Sequence, residues 1–329
     1  MTATFAIAGS GAYLPKRSIS SAEIGALTKL SARVVEDRFG VRARPRADAS
    51  ETSSFMGAEA ARRALAEAGW AAESLDVIIG ACGVMEQPLP GASVLIQRRL
   101  GLGDSGIPAF DVNAACLSFL IGFDRALAGF ALGEYRRALV VCADIASAAL
   151  DYSDPEASVL FGDGAAAFAL EAGGPHRRLA HRFRTWGEAA DVCRLEAGGT
   201  RLRPHDDFEA FLAACAFRMD GPATFRATAK RFPGFLAELL GAAGVEASEI
   251  DLVVPHQASA PALEHLKRAL PGGFEKTIDV FAQVGNQIAV SLPFALHTAR
   301  LQGRIRPNET ALLIGSSAGI SLGGAVIRW

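Results

Sequence analysis

"LAEAGWAAESLDVII" (residues 65–79) is matched later in the chain by "LGAAGVEASEIDLVV" (residues 240–254). Each stretch runs from a helix end through a stopping Gly and a short polar link into an Asp-bearing strand. Gly69 corresponds to Gly244 and Asp76 to Asp251, an offset of 175 in both cases (244−69 and 251−76). Further on, "ALVV" (138–141) and "ALLI" (311–314) correspond with an offset of 173 (311−138). An offset near half of a 329-residue chain describes two similar α/β halves, not a solenoid, whose repeats are far shorter. The near-continuous apolar runs "LDVIIGAC" (75–82), "RALVVCAD" (137–144), "IDLVVPHQ" (250–257) and "ALLIGSSAG" (311–319) read as strands of a parallel sheet buried on both faces. Between them, "MGAEAARRALAEAG" (56–69) and "PGFLAELLGAAG" (233–244) read as helices. Gly and Pro punctuate "EAGGPHRR" (171–178), so the halves are expected to be residues 1–172 and 173–329.

Half the residues are apolar and 21% are charged, as in a soluble globular protein with a large core. A net charge of −2 gives no bulk attraction to nucleic acid or an anionic membrane. The N-terminus "MTATFAIAGSGAYLPKR" has no basic segment leading into a sustained apolar run, so no secretory signal is read there. Gly and charge interrupt every apolar run before the roughly 18 residues of a membrane span, so no membrane insertion is expected. The five cysteines (82, 116, 142, 193 and 215) form neither a C-x-x-C pair nor a metal cluster. Their odd number suits free thiols in a reducing cytoplasm, and no metal is expected.

"DVNAACLSFLIGFDRAL" (111–127) sets Cys116 between the strand-like "PAFDV" and an apolar helix. Ligands of α/β sheets bind beyond the carboxyl ends of strands. A thiol at a helix N-terminus meets unpaired N–H groups and the positive end of the macrodipole, which favour the thiolate. Cys142, by contrast, reads as mid-strand. "DLVVPHQASAPALEHL" (251–266) puts His256 just past a buried strand closed by Pro255, while His265 and His297 fall within helical patterns and read as structural. "VFAQVGNQIAVSLPFAL" (280–296) places Gly285-Asn286 before another apolar helix. "LLIGSSAGISLGGAVIRW" (312–329) ends the chain with a strand, a small-residue loop whose N–H groups can closely approach a ligand, and another strand.

"DVNAACLSF", "VPHQAS", "VGNQIAVSLP" and the loop before "VIRW" stand in the order and spacing of the thiolase superfamily. With "GSGAYLPKR" (9–17) and "SVLFGDGAAAFAL" (158–170), the chain most resembles the β-ketoacyl-acyl-carrier-protein synthase III branch over essentially its whole length. The resemblance implies a duplicated thiolase-like core layered α-β-α-β-α, and a decarboxylative Claisen condensation without a cofactor. The substrates it implies are an acyl-CoA or acyl-carrier-protein thioester and a malonyl thioester, in a cytoplasmic homodimer. Cys116 would accept the acyl group, since a covalent intermediate needs a nucleophile that also leaves well. His256 Nε2 and Asn286 Nδ2 would face the enolate oxygen of the malonyl thioester, and the backbone N–H groups of Cys116 and Ala318 would form the acyl oxyanion hole.

Several implied substrate contacts depart from the family pattern. "SARVVEDRFGVRARPR" (31–46) keeps Arg38, which matches a phosphate contact, but has Val34 where a Trp often stacks on adenine. Ser259 and Pro261 replace the usual Asn and Arg of the histidine motif, leaving Lys267 and Arg268 on the next helix as carrier-docking cations. Ser317-Ala318-Gly319-Ile320 replaces Gly-Gly-Gly-Phe. Leu89, in "GVMEQPLPGAS" (83–93), stands where many relatives use Phe from the neighbouring subunit to close the acyl channel. Leu89 and Ile320 are therefore expected at the acyl pocket. One alternative keeps the nucleophile and passes the acyl group to an alcohol, an amine or a second acyl thioester. A dinucleotide-loop reading of "AGSGAYLP" (8–15) lacks the third Gly and the acidic ribose ligand. A non-catalytic scaffold is opposed by the intact Cys, His and Asn.

Overall fold

The structure, a computed structural model, describes residues 4–329. Nine strands form its main sheet: β1 (Thr4–Tyr13), β2 (Val77–Gly80), β3 (Ala109–Asp111), β4 (Arg137–Asp144), β5 (Gly164–Ala172), β6 (His176–Thr185), β7 (Leu252–Pro255), β8 (Thr310–Ser317) and β9 (Ser321–Arg328). Their spatial order is β7-β8-β9-β6-β1-β5-β4-β2-β3. The sheet is mixed: β2 runs parallel to β3 and β4, and β7 parallel to β8, while the other pairs are antiparallel. The four apolar runs that read as parallel strands do pair that way, β2 with β4 and β7 with β8, and the antiparallel neighbours come from the strands between them. Continuous apolarity reports burial on both faces, which helices impose whatever the strand direction.

The duplication is visible in the register. Val77 lies opposite Ala138, and Leu252 opposite Ala311, at offsets of 175 and 173. Gly69 and Gly244 end their helices in the left-handed region at φ 67° and 65°, where glycine carries no Cβ penalty. Asp76 Oδ2 accepts from Arg137 N–H and Asp251 Oδ2 from Thr310 N–H, both at 2.8 Å. We propose that the halves divide at residues 172/173, where β5 gives way to β6. Among the described residues, β1 and β6 pair through Thr4–Arg177 and Phe5–His176.

Helices α1 (Ser53–Ala68), α2 (Ser118–Leu132), α3 (Gly221–Ala243), α4 (Ala260–Arg268) and α5 (Ser291–Leu301) supply the other layers. One core joins Phe119 and Phe123 of α2 with Leu292 and Leu296 of α5, and takes Val77, Ile79, Val254 and Leu313 from both halves. The alternate residues face outward: Ile78 and Leu139 pack with Ala60 and Ala64 of α1, while Val253 and Leu312 pack with Phe235 and Leu239 of α3. This period-2 split is what layers the fold α-β-α-β-α, with each large buried side chain contributing about 1.5–3 kcal/mol. Gly9 and Gly11 face α1 so closely that a Cβ on either would stand 2.2 Å from a helix carbonyl. Helix packing accounts for the "GSG" that resembled a dinucleotide loop.

Two further expectations change. The α3 helix begins at Gly221, not near Pro233, because Asp220 caps it by accepting from Ala223 N–H at 2.8 Å. Ala115–Leu132 does reach 18 residues at mean hydropathy 1.6, despite Gly122, Asp124 and Arg125. It is the central layer of the core, more than half buried.

Candidate active site

Cys116 follows β3 in a short 3₁₀ turn, Ala115–Leu117, that opens α2. Ala115 is held at φ 49°, in the left-handed region. Its N–H donates to Asn113 Oδ1 at 2.9 Å, and its carbonyl accepts from Ser118 Oγ at 2.7 Å. Strain of this kind persists only where neighbours enforce it; here Asn113 and Ser118 hold it. His256 follows β7, its N–H donating to Ile314 O of β8 at 2.9 Å. Asn286 follows Gly285, where a Cβ would fall 2.4 Å from Leu160 O. Its peptide is clamped on both sides, N–H to Leu160 O and carbonyl from Gly162 N–H. Its carboxamide is fixed by Oδ1 accepting from Ile288 N–H at 2.9 Å and Nδ2 donating to Ala258 O at 3.2 Å. An amide nitrogen has a second proton.

Cys116, His256, Asn286 and Ala318 line one cavity of about 590 Å³, with Phe217, Met219 and other apolar side chains in its wall. The backbone N–H groups of Cys116 and Ala318 both approach Cys116 Sγ. Burial nevertheless pushes the Cys116 thiol well above its ordinary value, with further upward pushes from Cys193 and Asp144. The expected thiolate-favouring shift is thus reversed, because desolvation in an apolar cavity outweighs one turn of N–H groups. Burial pushes His256 down to about 4. At neutral pH the resting pair is therefore a thiol and a neutral imidazole. Cys82 and Cys142 are raised too, and neither lines the cavity.

The proposed substrate contacts separate on inspection. Arg38 lines the cavity and ion-pairs with Glu156 on the same wall. Ser259 lines it while capping α4, its Oγ accepting from Ala262 N–H at 3.3 Å. Ile320 does not line it. Its side chain is fully buried and its backbone exchanges two hydrogen bonds with Trp186; the turn from β8 to β9 points it inward. Lys267 is engaged with Asp279 at 2.6 Å, and Arg268 pairs with Glu264 on the exposed face of α4. Leu89 is 85% exposed and outside this chain's cavity.

Other cavity residues escaped the sequence reading. His265, read as structural, stands in the wall with its ring against Phe225 and Phe232, and its Nε2 is buried without a partner. Helical periodicity conceals this because the face of α4 that packs Leu263 and Leu266 into the core also borders the cavity. Cys193 also lines the cavity, raised by burial to about 11.

A duplicated α/β core that brings a cysteine and a histidine from strand ends, and an asparagine from a turn before a core helix, to one cavity defines the thiolase-like class of acyl-transferring enzymes. Within that class, the chain belongs to the 3-oxoacyl-[acyl-carrier-protein] synthase III family, and it is an acyltransferase. Residues 110–187 match the family model of that name, and residues 240–329 match the model of its C-terminal part. It is 36% identical to a β-ketoacyl-[acyl-carrier-protein] synthase III of Bordetella petrii, over 98% of this chain and 97% of that one. It is 34% identical to the protein of that name from Rhizorhabdus wittichii, over 98% of both. The crystal structure of 3-oxoacyl-[acyl-carrier-protein] synthase III from Aquifex aeolicus superposes with a TM-score of 0.88 at 29% identity, covering 99% of this chain and 100% of that one. A priming β-ketosynthase of the R1128 polyketide pathway gives 0.89 at 27%, covering 99% and 97%.

Proposed function

We propose that this enzyme condenses an acyl thioester with a malonyl thioester through an acyl group held on Cys116. The carrying observation is the convergence of Cys116, His256, Asn286 and Ala318 on one cavity. In the first stage the thiol attacks the acyl carbonyl, whose oxygen sits between the N–H groups of Cys116 and Ala318. The proton of the thiol ends on the departing carrier, which leaves as a free thiol. In the second stage the malonyl thioester oxygen takes hydrogen bonds from His256 and from the free proton of Asn286 Nδ2. Carbon dioxide departs, the carbanion attacks the acyl carbon, and the Cys116 thiolate is released with the β-ketoacyl thioester formed. A preorganised donor at such an oxygen contributes about 3–4 kcal/mol to barrier lowering.

The carriers are CoA or carrier-protein thioesters in the cytoplasm, and the working form is a homodimer. Met85 and Leu89, 55% and 85% exposed on the single chain, are the side chains proposed to enter the partner's acyl channel. The test is mass spectrometry of Cys116 together with release of carbon dioxide from a malonyl thioester. His256→Ala and Asn286→Ala should still acquire the acyl group while losing decarboxylation, whereas Cys116→Ser should lose both loading and condensation. Acyl transfer to an alcohol or amine with no decarboxylation would replace this reading.

A further inference from the structure

Asp144 ends β4 fully buried. A carboxylate in that position must have its acceptors filled, and this one does. Its Oδ1 accepts from the N–H groups of Gly83 and Val84, and its Oδ2 from Ala289 N–H, all at 2.9 Å. Gly83 and Val84 line the cavity wall supplied by the first half. Ala289 lies in the second half, three residues beyond Asn286. One carboxylate thus ties a cavity wall to the turn that carries the carboxamide.

That turn needs restraint. Ile288 is held at φ 53°, in the left-handed region that a β-branched residue disfavours. Its side chain lines the cavity and packs so tightly on Gly83 that a Cβ there would fall 2.5 Å from Ile288 Cγ2. The duplication supplies a parallel: Ala289 corresponds to Cys116 at the offset of 173. The N–H that approaches the sulfur in one half has a counterpart in the other that is bound to the Asp144 carboxylate.

We propose that Asp144 is a positioning residue for the second stage, pinning Ala289 so that the strained turn presents Asn286 to the malonyl thioester. This rests on the role proposed above for Asn286. Asp144→Asn places an amide N–H against at least one backbone N–H. Decarboxylation by acyl-loaded enzyme should fall about 30-fold in kcat, with acyl loading of Cys116 within about threefold of the unmutated protein.

The pH profile provides a readout that folding alone does not move. Burial raises Asp144 to about 7, and a protonated carboxyl cannot accept from all three donors. The groups facing it are Asp163, Cys82, Cys116 and Cys142. The three thiols are held neutral across this range, and Asp163 raises Asp144 further. Decarboxylation by the unmutated, acyl-loaded enzyme should therefore drop below about pH 7, approaching tenfold per unit, while loading does not share that limb. Asp144→Asn should lack it. Equal damage to both stages in Asp144→Asn, or unmutated decarboxylation that is flat from pH 5.5 to 8, overturns the proposal. If Asp144→Asn is insoluble, the unmutated profile alone decides. Asn286→Ala that decarboxylates normally overturns the role of Asn286 itself; an impaired Asn286→Ala beside an unaffected Asp144→Asn overturns only the role of Asp144.

Discussion

Asn113 and Asn286 stand 173 residues apart and build the same turn. Each Oδ1 accepts at 2.9 Å from the N–H two residues on, Ala115 in one half and Ile288 in the other. Those two residues share the left-handed region, at φ 49° and 53°. Ser118 and Ser291 complete the match, accepting at 2.9 Å from Ala114 and Gln287 N–H. One half uses the turn to aim a thiol, and the other to aim a carboxamide.

Asn113→Ala removes the acceptor that holds Ala115. We expect a stability loss of about 1 kcal/mol, the worth of one ordinary hydrogen bond. Acyl loading of Cys116 should slow about tenfold, read by mass spectrometry over time. Asn113→Asp keeps an acceptor and should recover most of that rate; no recovery would locate the defect elsewhere.

His176 and His256 make stability depend on pH. Burial lowers both to about 4 in the folded protein, against about 6.5 in an unfolded chain. Between those values the unfolded state binds the extra protons, so their contribution is complete above about 6.5 and is lost as pH falls toward 4. Each group contributes up to about 1.4 kcal/mol per pH unit in that window. His176 lies between Phe5 and Trp329, 4.5 Å from the latter ring, with Nδ1 buried and unpartnered. Urea unfolding at pH 4.5, 5.5 and 6.5 should show this slope, and His176→Phe should reduce it while leaving the part that His256 contributes.

Glu156 occupies Arg38 at the cavity wall. Because both side chains are more than a third exposed, the pair is weak. Glu156→Gln should free the guanidinium and lower KM for a CoA thioester about threefold, but leave KM for an N-acetylcysteamine thioester, which carries no phosphate, unaltered. A fall in both KM values would point to a change in cavity shape.

Leu89 is 85% exposed on the single chain, the exposure of a side chain that can enter a partner's channel. In the proposed homodimer, acyl loading should favour butyryl to octanoyl over acetyl thioesters, since each further buried methylene contributes about 0.8 kcal/mol. Leu89→Phe should shift the profile toward acetyl. A monomeric mass by light scattering with full activity would remove the basis for this expectation.

Much of the fold was legible because it rests on periodicity. The offsets of 175 and 173 reappear as strand register, and Gly69 and Gly244 end equivalent helices. The parallel pairing of the apolar runs was legible, but the antiparallel strands that join them were not, since a strand buried on both faces has the same composition whichever way its neighbour runs. The positions of Cys116 and His256 past strand ends and of Asn286 before a helix could be read locally, and their shared cavity agrees with that reading.

The repeat, the strand ends and the chemically able side chains are local patterns, each written within a short stretch of residues. Their surroundings came from long-range packing. It turned Ile320 inward, brought His265 into the cavity wall, engaged Lys267 with Asp279 and paired Arg38 with Glu156. It also raised the Cys116 thiol where a helix N-terminus alone argues for lowering it. The reason is that desolvation and hydrogen-bond satisfaction depend on atoms distant in the chain: Asp144 is one charged residue at a strand end until Ala289, 145 residues later, folds onto it.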